Sequence, residues 1–324
     1  MAGFSLADVE KMSARDAFGN ALVAAGEKNK DIVLLGSDAI GSTRAAAFAD
    51  RFPERTFNFG IAEMEMVSAA AGFASCGKIP IATAYGFLLA FRACEQVRDD
   101  LCYQNMNVKL MSTHTGLSMA AAGTSHHSTE DVAVMRSFAN MTIVAPSDAM
   151  ETVKAVQAVI DYPGPVYLRM GRGSLELVNT EEYDFVIGKS VQLREGTDVT
   201  LISYGIMVAE SLRAADALAK RGITARVINM HTIKPMDEEA VLKAAEETGC
   251  IVTAEEHNIL GGLGEAVAGY LSENRPSPVV RVGIPDIFCG IGPEDELRKK
   301  LGLTAEAIEK AAIKAISLKR VNFS

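Results

Sequence analysis

The chain has 324 residues, enough for two domains of ordinary size. Its formal net charge of -9 does not suit nucleic acid or an anionic membrane surface as a partner. Residues 1–30 lack a basic start followed by an apolar core, so no secretory leader is expected, and the longest nearly apolar run, Ile79 to Phe91, is too short to span a bilayer.

Five cysteines, at 76, 94, 102, 250 and 289, form no CxxC pair. An odd count without framework spacing predicts reduced thiols and a cytoplasmic protein. No metal-ligand cluster stands out. His126 and His127 are adjacent, and neighbouring side chains on regular structure point apart.

In chain order, Ser13 reads as the cap of a helix that runs to about Glu27. DIVLLG (31–36) reads as a buried strand followed by a polar loop. FNF leads to a helix over 61–76, and IPIATAY (79–85) is the next strand. A helical segment carries Arg92, Glu95, Arg98 and Asp99. VKLMSTH (108–114) is a strand ending in a histidine. The long loop GLSMAAAGTSHHSTED follows, with small residues that let backbone approach a ligand. A short helix, a strand MTIVAPS, a helix from Asp148 and a strand VYLRM complete this half. The alternation predicts an α/β fold with a parallel sheet and helices on both faces.

From Gly173 to Thr197 the pattern lapses into acidic, turn-rich sequence, which reads as an interdomain connection with its boundary near Ile187. The second half then alternates again. It reads as a strand DVTLISYG, a helix from Met207 to Arg221, a strand TARVINM and a helix capped by Asp237. A strand CIVTAEEH, a helix opening at GGLG, a strand PVVRVGI and two final amphipathic helices follow. The expectation is 1–187 for a first domain and 188–324 for a smaller second one. His231, Glu255, Glu256 and His257 are the few ionisable residues at strand ends in the second half.

Candidate chemistry collects in the first half. Past Gly60, the segment GIAEMEMVSAAAG turns into a helix that is apolar on most faces, with Glu63 in its first turn. By itself, Glu63 reads either as a solvated first-turn acid favoured by the helix dipole or as a functional acid at a strand-to-helix junction. Asp38, Ser42, Glu63, Tyr85, His114 and His126 all fall at or just after predicted strand ends. In a parallel sheet those ends share one rim, where ligands bind.

The ordered motifs FGIAE (59–63), EQVR (95–98), STH…GTSHH…ED (112–131), YLRMGR (167–172) and AEEHNILGGLG (254–264) resemble the C-terminal half of transketolase. Over essentially its full length, the chain resembles the smaller subunit of split, two-gene transketolases. The resemblance implies a thiamine diphosphate-binding fold: a pyrimidine-binding domain followed by a smaller α/β transketolase C-terminal domain. It also implies a cofactor shared across a subunit interface. The GDG motif of the diphosphate site is absent from the sequence. An N-terminal subunit is therefore expected to supply the diphosphate and Mg²⁺ ligands. A homodimer of this chain within a two-plus-two assembly is the implied arrangement.

The resemblance also assigns roles. Glu63 matches the acid opposite the pyrimidine N1′, which stabilises the imino tautomer needed to remove the C2 proton. Such an acid works best when desolvated, and the apolar helix suits that. Tyr85, Leu88 and Phe91 fall at the pyrimidine-stacking positions, although i, i+3, i+6 spacing is also that of an ordinary core stripe, and an aromatic is usual at Leu88. His126 matches the histidine near the reacting carbonyl, and His114 one near the acceptor's phosphate end. Arg15, Ser42 and Arg172 match phosphate contacts, with Arg169 a competitor for the second arginine role. Asp38 matches an acid near the cofactor. One departure stands out: where transketolases carry Gly-Glu-Asp-Gly, this loop reads Ala120-Ala121-Ala122-Gly123, and the acid that binds a donor-sugar hydroxyl falls on Ala122. A donor other than xylulose 5-phosphate is therefore expected.

Two other readings are a 2-oxo acid dehydrogenase beta subunit, to which the GIAE, TSHH and EEHNILGGLG signatures fit less well, and a non-catalytic assembly partner. The retained Glu63 and His126 argue against the second. Deoxyxylulose phosphate synthase normally carries all three domains in one chain.

Overall fold

The computed structural model describes residues 12–173, 175–179 and 183–321. The first half contains α1 (Ala14–Lys28), β1 (Ile32–Gly36), α2 (Ala46–Arg51), β2 (Thr56–Asn58), α3 (Glu63–Ser75), β3 (Ile79–Tyr85), β4 (Lys109–Thr113), α4 (Asp131–Ser137), β5 (Thr142–Val144), α5 (Ala149–Asp161) and β6 (Val166–Arg169). The second half contains β7 (Val191–Arg194), β8 (Val199–Ser203), α6 (Met207–Ala219), β9 (Ala225–Asn229), β10 (Thr232–Lys234), α7 (Glu238–Thr248), β11 (Ile251–Asn258), α8 (Leu263–Asn274), β12 (Val279–Ile284), α9 (Glu294–Leu301) and α10 (Ala305–Val321).

The all-apolar run of β1 explains the layering. Successive strand residues face opposite sides, so an unbroken apolar strand needs cover on both. Ile32 and Leu34 pack with Phe18, Leu22, Phe48 and Val156 of α1, α2 and α5. Val33 and Leu35 pack with Met66, Val67 and Ala70 of α3. The capping signals also behave as expected: Ser13 Oγ accepts from the Asp16 amide, Asp148 from that of Glu151, and Asp237 from that of Ala240.

The first sheet has seven strands in the order β10-β5-β6-β4-β3-β1-β2, and the second has five in the order β12-β11-β8-β9-β7. β1 to β6 run parallel, which brings their C-terminal ends to one rim. Two elements depart from the sequence expectation. The supposed connection contains β7, an antiparallel edge strand on β9. The residues after TARVINM form β10, which crosses over to pair antiparallel with β5 of the first sheet. Both are three or four residues long, too short for alternation to register. The helical stretch after β3 is also unusual, with π-helical turns at Leu88–Arg92 and Val97–Tyr103, a geometry frequent at functional sites.

The halves are tied through Arg169, which sits in a buried ion pair. Arg169 Nε donates to Asp131 Oδ2 at 2.9 Å, and Tyr167 donates to the same oxygen at 2.8 Å. Arg169 Nη2 reaches the carbonyls of Ser128 and Glu256, both at 3.1 Å. Burial works against the Arg169 charge, and the Asp131 carboxylate more than offsets it, leaving the pKa above its usual value. Removing one partner of such a pair strands the other charge in a dry interior. Asp131→Ala is therefore expected to cost about 3–5 kcal/mol of stability in urea unfolding. The double replacement Asp131→Leu with Arg169→Met should cost clearly less.

Candidate active site

α3 opens at Glu63, and its carboxylate is buried to 1 % exposure. Oε2 accepts from Arg92 Nη1 at 2.8 Å, while Oε1 takes no hydrogen bond from any described residue. Arg92 comes from the first π-helical turn, which thereby brings a cation onto the acid. The residues beside the pair are apolar and open to solvent: Ile61 at 78 %, Phe91 at 41 %, and Met64 also exposed. An acid with one unengaged oxygen amid exposed apolar side chains fits a flat heteroaromatic ring that offers a nitrogen.

A second group gathers at the ends of β1, β3, β4 and β6. The Tyr85 hydroxyl donates to Ser42 Oγ at 2.9 Å, and the Tyr85 ring lies 4.3 Å from that of His114. Arg15 Nη1 donates to the Ser42 carbonyl at 2.7 Å and sits 3.3 Å from His114 Nε2. Arg15 Nε donates to the Arg172 carbonyl at 2.9 Å. The Arg172 side chain is exposed and makes no hydrogen bond or ion pair with any described residue. Two guanidiniums that form no ion pair with a carboxylate among the described residues suit an anion. Burial and then the Arg15 and Arg172 charges lower the His114 pKa to about 3, so its ring is neutral near pH 7. His114 and Asp38 both adopt positive φ, 58° each, a strained backbone that clusters at functional sites. Asp38 is exposed and exchanges hydrogen bonds with Asn58 rather than with this group.

The remaining expected residues lie along the loop. Gly116 and Ser128 exchange backbone hydrogen bonds at 3.0 Å, closing the loop at its neck. His126 is half-buried, with its ring 5.2 Å from that of Phe87 and Nδ1 3.0 Å from Ser125 Oγ. Leu88 packs against the core, whereas Phe91 shares a cavity of about 270 Å³ with Thr124, Ser125 and Phe288. A larger cavity of about 730 Å³, between α1 and α5, is lined by none of these residues.

Sequence reading gave no site role to Arg92 or Phe87. Arg92 became legible only when the π-turn placed it on Glu63. Phe87 interrupts the Tyr85, Leu88, Phe91 spacing. Arg169 is spent on Asp131 inside the protein, which leaves Arg172 as the arginine that faces outward.

The parallel-sheet rim thus carries a buried acid on one side and a group of cations on the other. Residues 10–177 match the transketolase pyrimidine-binding domain and 188–308 the transketolase C-terminal domain. The chain belongs to the transketolase family. It is 41 % identical over 298 residues to the 6-deoxy-6-sulfo-D-fructose transketolase subunit SqwH of Clostridium sp. (strain MSTE9), covering 92 % of each chain. It is likewise 41 % identical to an apulose-4-phosphate transketolase subunit of Phocaeicola vulgatus, covering 94 % of this chain and 98 % of the other. A solved split-gene transketolase, described as an inactive beta4 tetramer, superposes with a TM-score of 0.90 at 44 % identity, covering 95 % of this chain and all of that one.

The His114 environment has a pH consequence. Its folded pKa lies below the unfolded value of 6.5, so the unfolded chain binds more protons as pH falls below 6.5. Stability is lost in that window. His114→Asn is expected to lose less stability than the parent between pH 6.5 and about 4, as read by urea midpoints at several pH values.

Proposed function

We propose that this chain is the catalytic C-terminal subunit of a two-chain transketolase. It moves a two-carbon ketol unit from a ketose phosphate to an aldose phosphate, with thiamine diphosphate and Mg²⁺. The observation that carries this reading is the buried Glu63 at the start of α3, with one free carboxylate oxygen among exposed apolar side chains. Residues 1–187 form the pyrimidine-binding domain in this reading, and 188–324 the C-terminal domain.

When bound, thiamine diphosphate supplies the nucleophile and electron sink that ketol cleavage needs. Glu63 meets the pyrimidine nitrogen and holds or yields a proton there, while Tyr85, Leu88 and Phe91 provide the apolar wall and exclude water. Asp38 stands near the cofactor at the subunit interface. His126 hydrogen-bonds the sugar's carbonyl and hydroxyl groups. Arg15, Ser42, His114 and Arg172 receive the phosphate end. The diphosphate and Mg²⁺ ligands belong to the N-terminal partner subunit, since this sequence has no GDG motif. Exposed Ile61 and Met64 beside Glu63 are apolar surface of the kind an interface covers. A homodimer within a two-plus-two heterotetramer suits a cofactor held between chains. The five unpaired thiols suit a cytoplasmic enzyme, and no helix among the described residues is long and apolar enough to cross a membrane.

The alanines at 120–122 favour a donor other than xylulose 5-phosphate, and two relatives whose names specify other sugars support this. The reconstituted complex should use xylulose 5-phosphate poorly; ordinary efficiency with it in a coupled assay refutes this specificity. Glu63→Gln should lower turnover by about 100-fold or more, the scale of acid–base assistance, while assembly with the partner stays intact by size-exclusion chromatography. An assembly-only subunit would tolerate that change.

A further inference from the structure

The loop that lacks its acid is packed against the second half of the chain. Leu117 and Ala120 share a core with Cys289 and Leu297. Thr124 Oγ1 donates to the Cys289 carbonyl, and the Gly292 amide reaches the Ala120 carbonyl at 3.5 Å. A Cβ on Gly123 would come within 2.7 Å of Ile291. Loop and α9 therefore present one continuous wall. A cavity of about 430 Å³ opens on it, bounded by Ala120–Ala122 from the loop, Gly292 to Glu294 from the second half, and Arg172.

Glu294 brings an acid to that cavity. Its side chain is 31 % exposed, and one carboxylate oxygen accepts from Arg298. The other takes no hydrogen bond from any described residue. A first-turn Glu paired four residues on with Arg is an ordinary helix arrangement. Arg298, however, already has Glu256 at 2.8 Å and Asp295 at 3.4 Å, so its charge does not require Glu294. The unpartnered Arg172 guanidinium is close enough to act electrostatically on Glu294 and also on His114 and Arg15. Arg172 thus joins the anion site to this cavity.

We propose that Glu294 is a specificity-determining residue of the donor site. Its free carboxylate oxygen accepts a hydrogen bond from a hydroxyl of an anionic ketose, in the space that Ala121 and Ala122 leave open and beside Arg172. This deepens the transketolase-type reading and rests on it. The acid missing from the loop is supplied from the C-terminal half, at a different angle and depth, so a differently shaped ketose is selected. Desolvation raises the Glu294 pKa, and Arg298 opposes it. A hydrogen bond from a sugar hydroxyl to the carboxylate is charge-assisted.

The test uses the complex reconstituted with the N-terminal subunit, with D-xylulose 5-phosphate, D-fructose 6-phosphate and apulose 4-phosphate as donors. Glu294→Gln is compared with the parent in KM, kcat and calorimetric affinity for thiamine diphosphate. The expected result is a KM for the best donor raised about 10- to 100-fold, with kcat within about two-fold and cofactor affinity unchanged. Adding Ala122→Asp to Glu294→Gln should shift donor preference toward xylulose 5-phosphate further than Ala122→Asp does alone, whereas a purely structural Glu294 would leave the two shifts equal. An unchanged KM and donor ranking, or a cofactor affinity that falls in parallel, overturns the proposal. Should the parent transfer nothing from any donor, the transketolase-type reading fails first. Calorimetric binding of the same three sugar phosphates then decides the subsite: weaker binding by Glu294→Gln supports it, and equal or undetectable binding by both proteins overturns it.

Discussion

Arg169 is a guanidinium sealed inside the protein, and much of the site's geometry follows from how that charge is satisfied. Asp131 neutralises it, and its Nη2 donates to the carbonyls of Ser128 at the loop neck and Glu256 on β11. An unpaired charge at that depth is too costly to tolerate, so these partners have little freedom to part. The neck of the 116–128 loop, the end of β6 and a strand of the second half are held together as a consequence. Further fastenings reinforce it: the Asn258 amide donates to the Thr129 carbonyl at 2.7 Å, and the Ala133 amide to His257 Nε2 at 3.2 Å. Glu256 presses so closely on Gly116 that a Cβ there would lie 2.0 Å from its carboxylate, where φ is also +61°. The C-terminal half is therefore a support for the loop as well as a packing domain.

At the rim, electrostatics sorts the residues into two environments. Glu63 is an acid answered by one cation, Arg92, and left with a free oxygen. Arg15 and Arg172 are cations that form no ion pair with an acid among the described residues, and the histidine among them is driven neutral by burial and by their charges. Such an excess of positive charge is relieved when an anion arrives. Within the second environment the hydroxyl of Tyr85 donates to Ser42, and His114 holds a positive-φ backbone.

Most of the fold was legible from one-dimensional pattern. IPIATAY forms β3 over the predicted residues, Asp237 caps α7 as expected, and the unbroken apolar run of DIVLLG gave the two-sided sheet. β7 and β10 were not legible, because three or four residues carry too little alternation to separate them from a loop. The π-helical turns were not legible either, since a wider turn leaves composition unchanged and alters only which residues face the rim. That shift is what set Arg92 on Glu63 and left Leu88 against the core while Phe91 stayed open.

By itself the sequence determined the family, the order of the longer strands and helices and the residue types at the rim, because these depend on local pattern and on motifs in fixed order. It also determined that the loop reads Ala120-Ala121-Ala122, with no acid at those positions. Which charges are spent and which are free was decided only by tertiary structure. Arg169 and Arg172 are three residues apart and chemically identical in the sequence. The fold buries one against Asp131 and leaves the other at the cavity with Glu294, a residue 122 positions further along the chain. Pairing depends on distance in space, and spacing in the sequence carries no record of that beyond a turn or a strand.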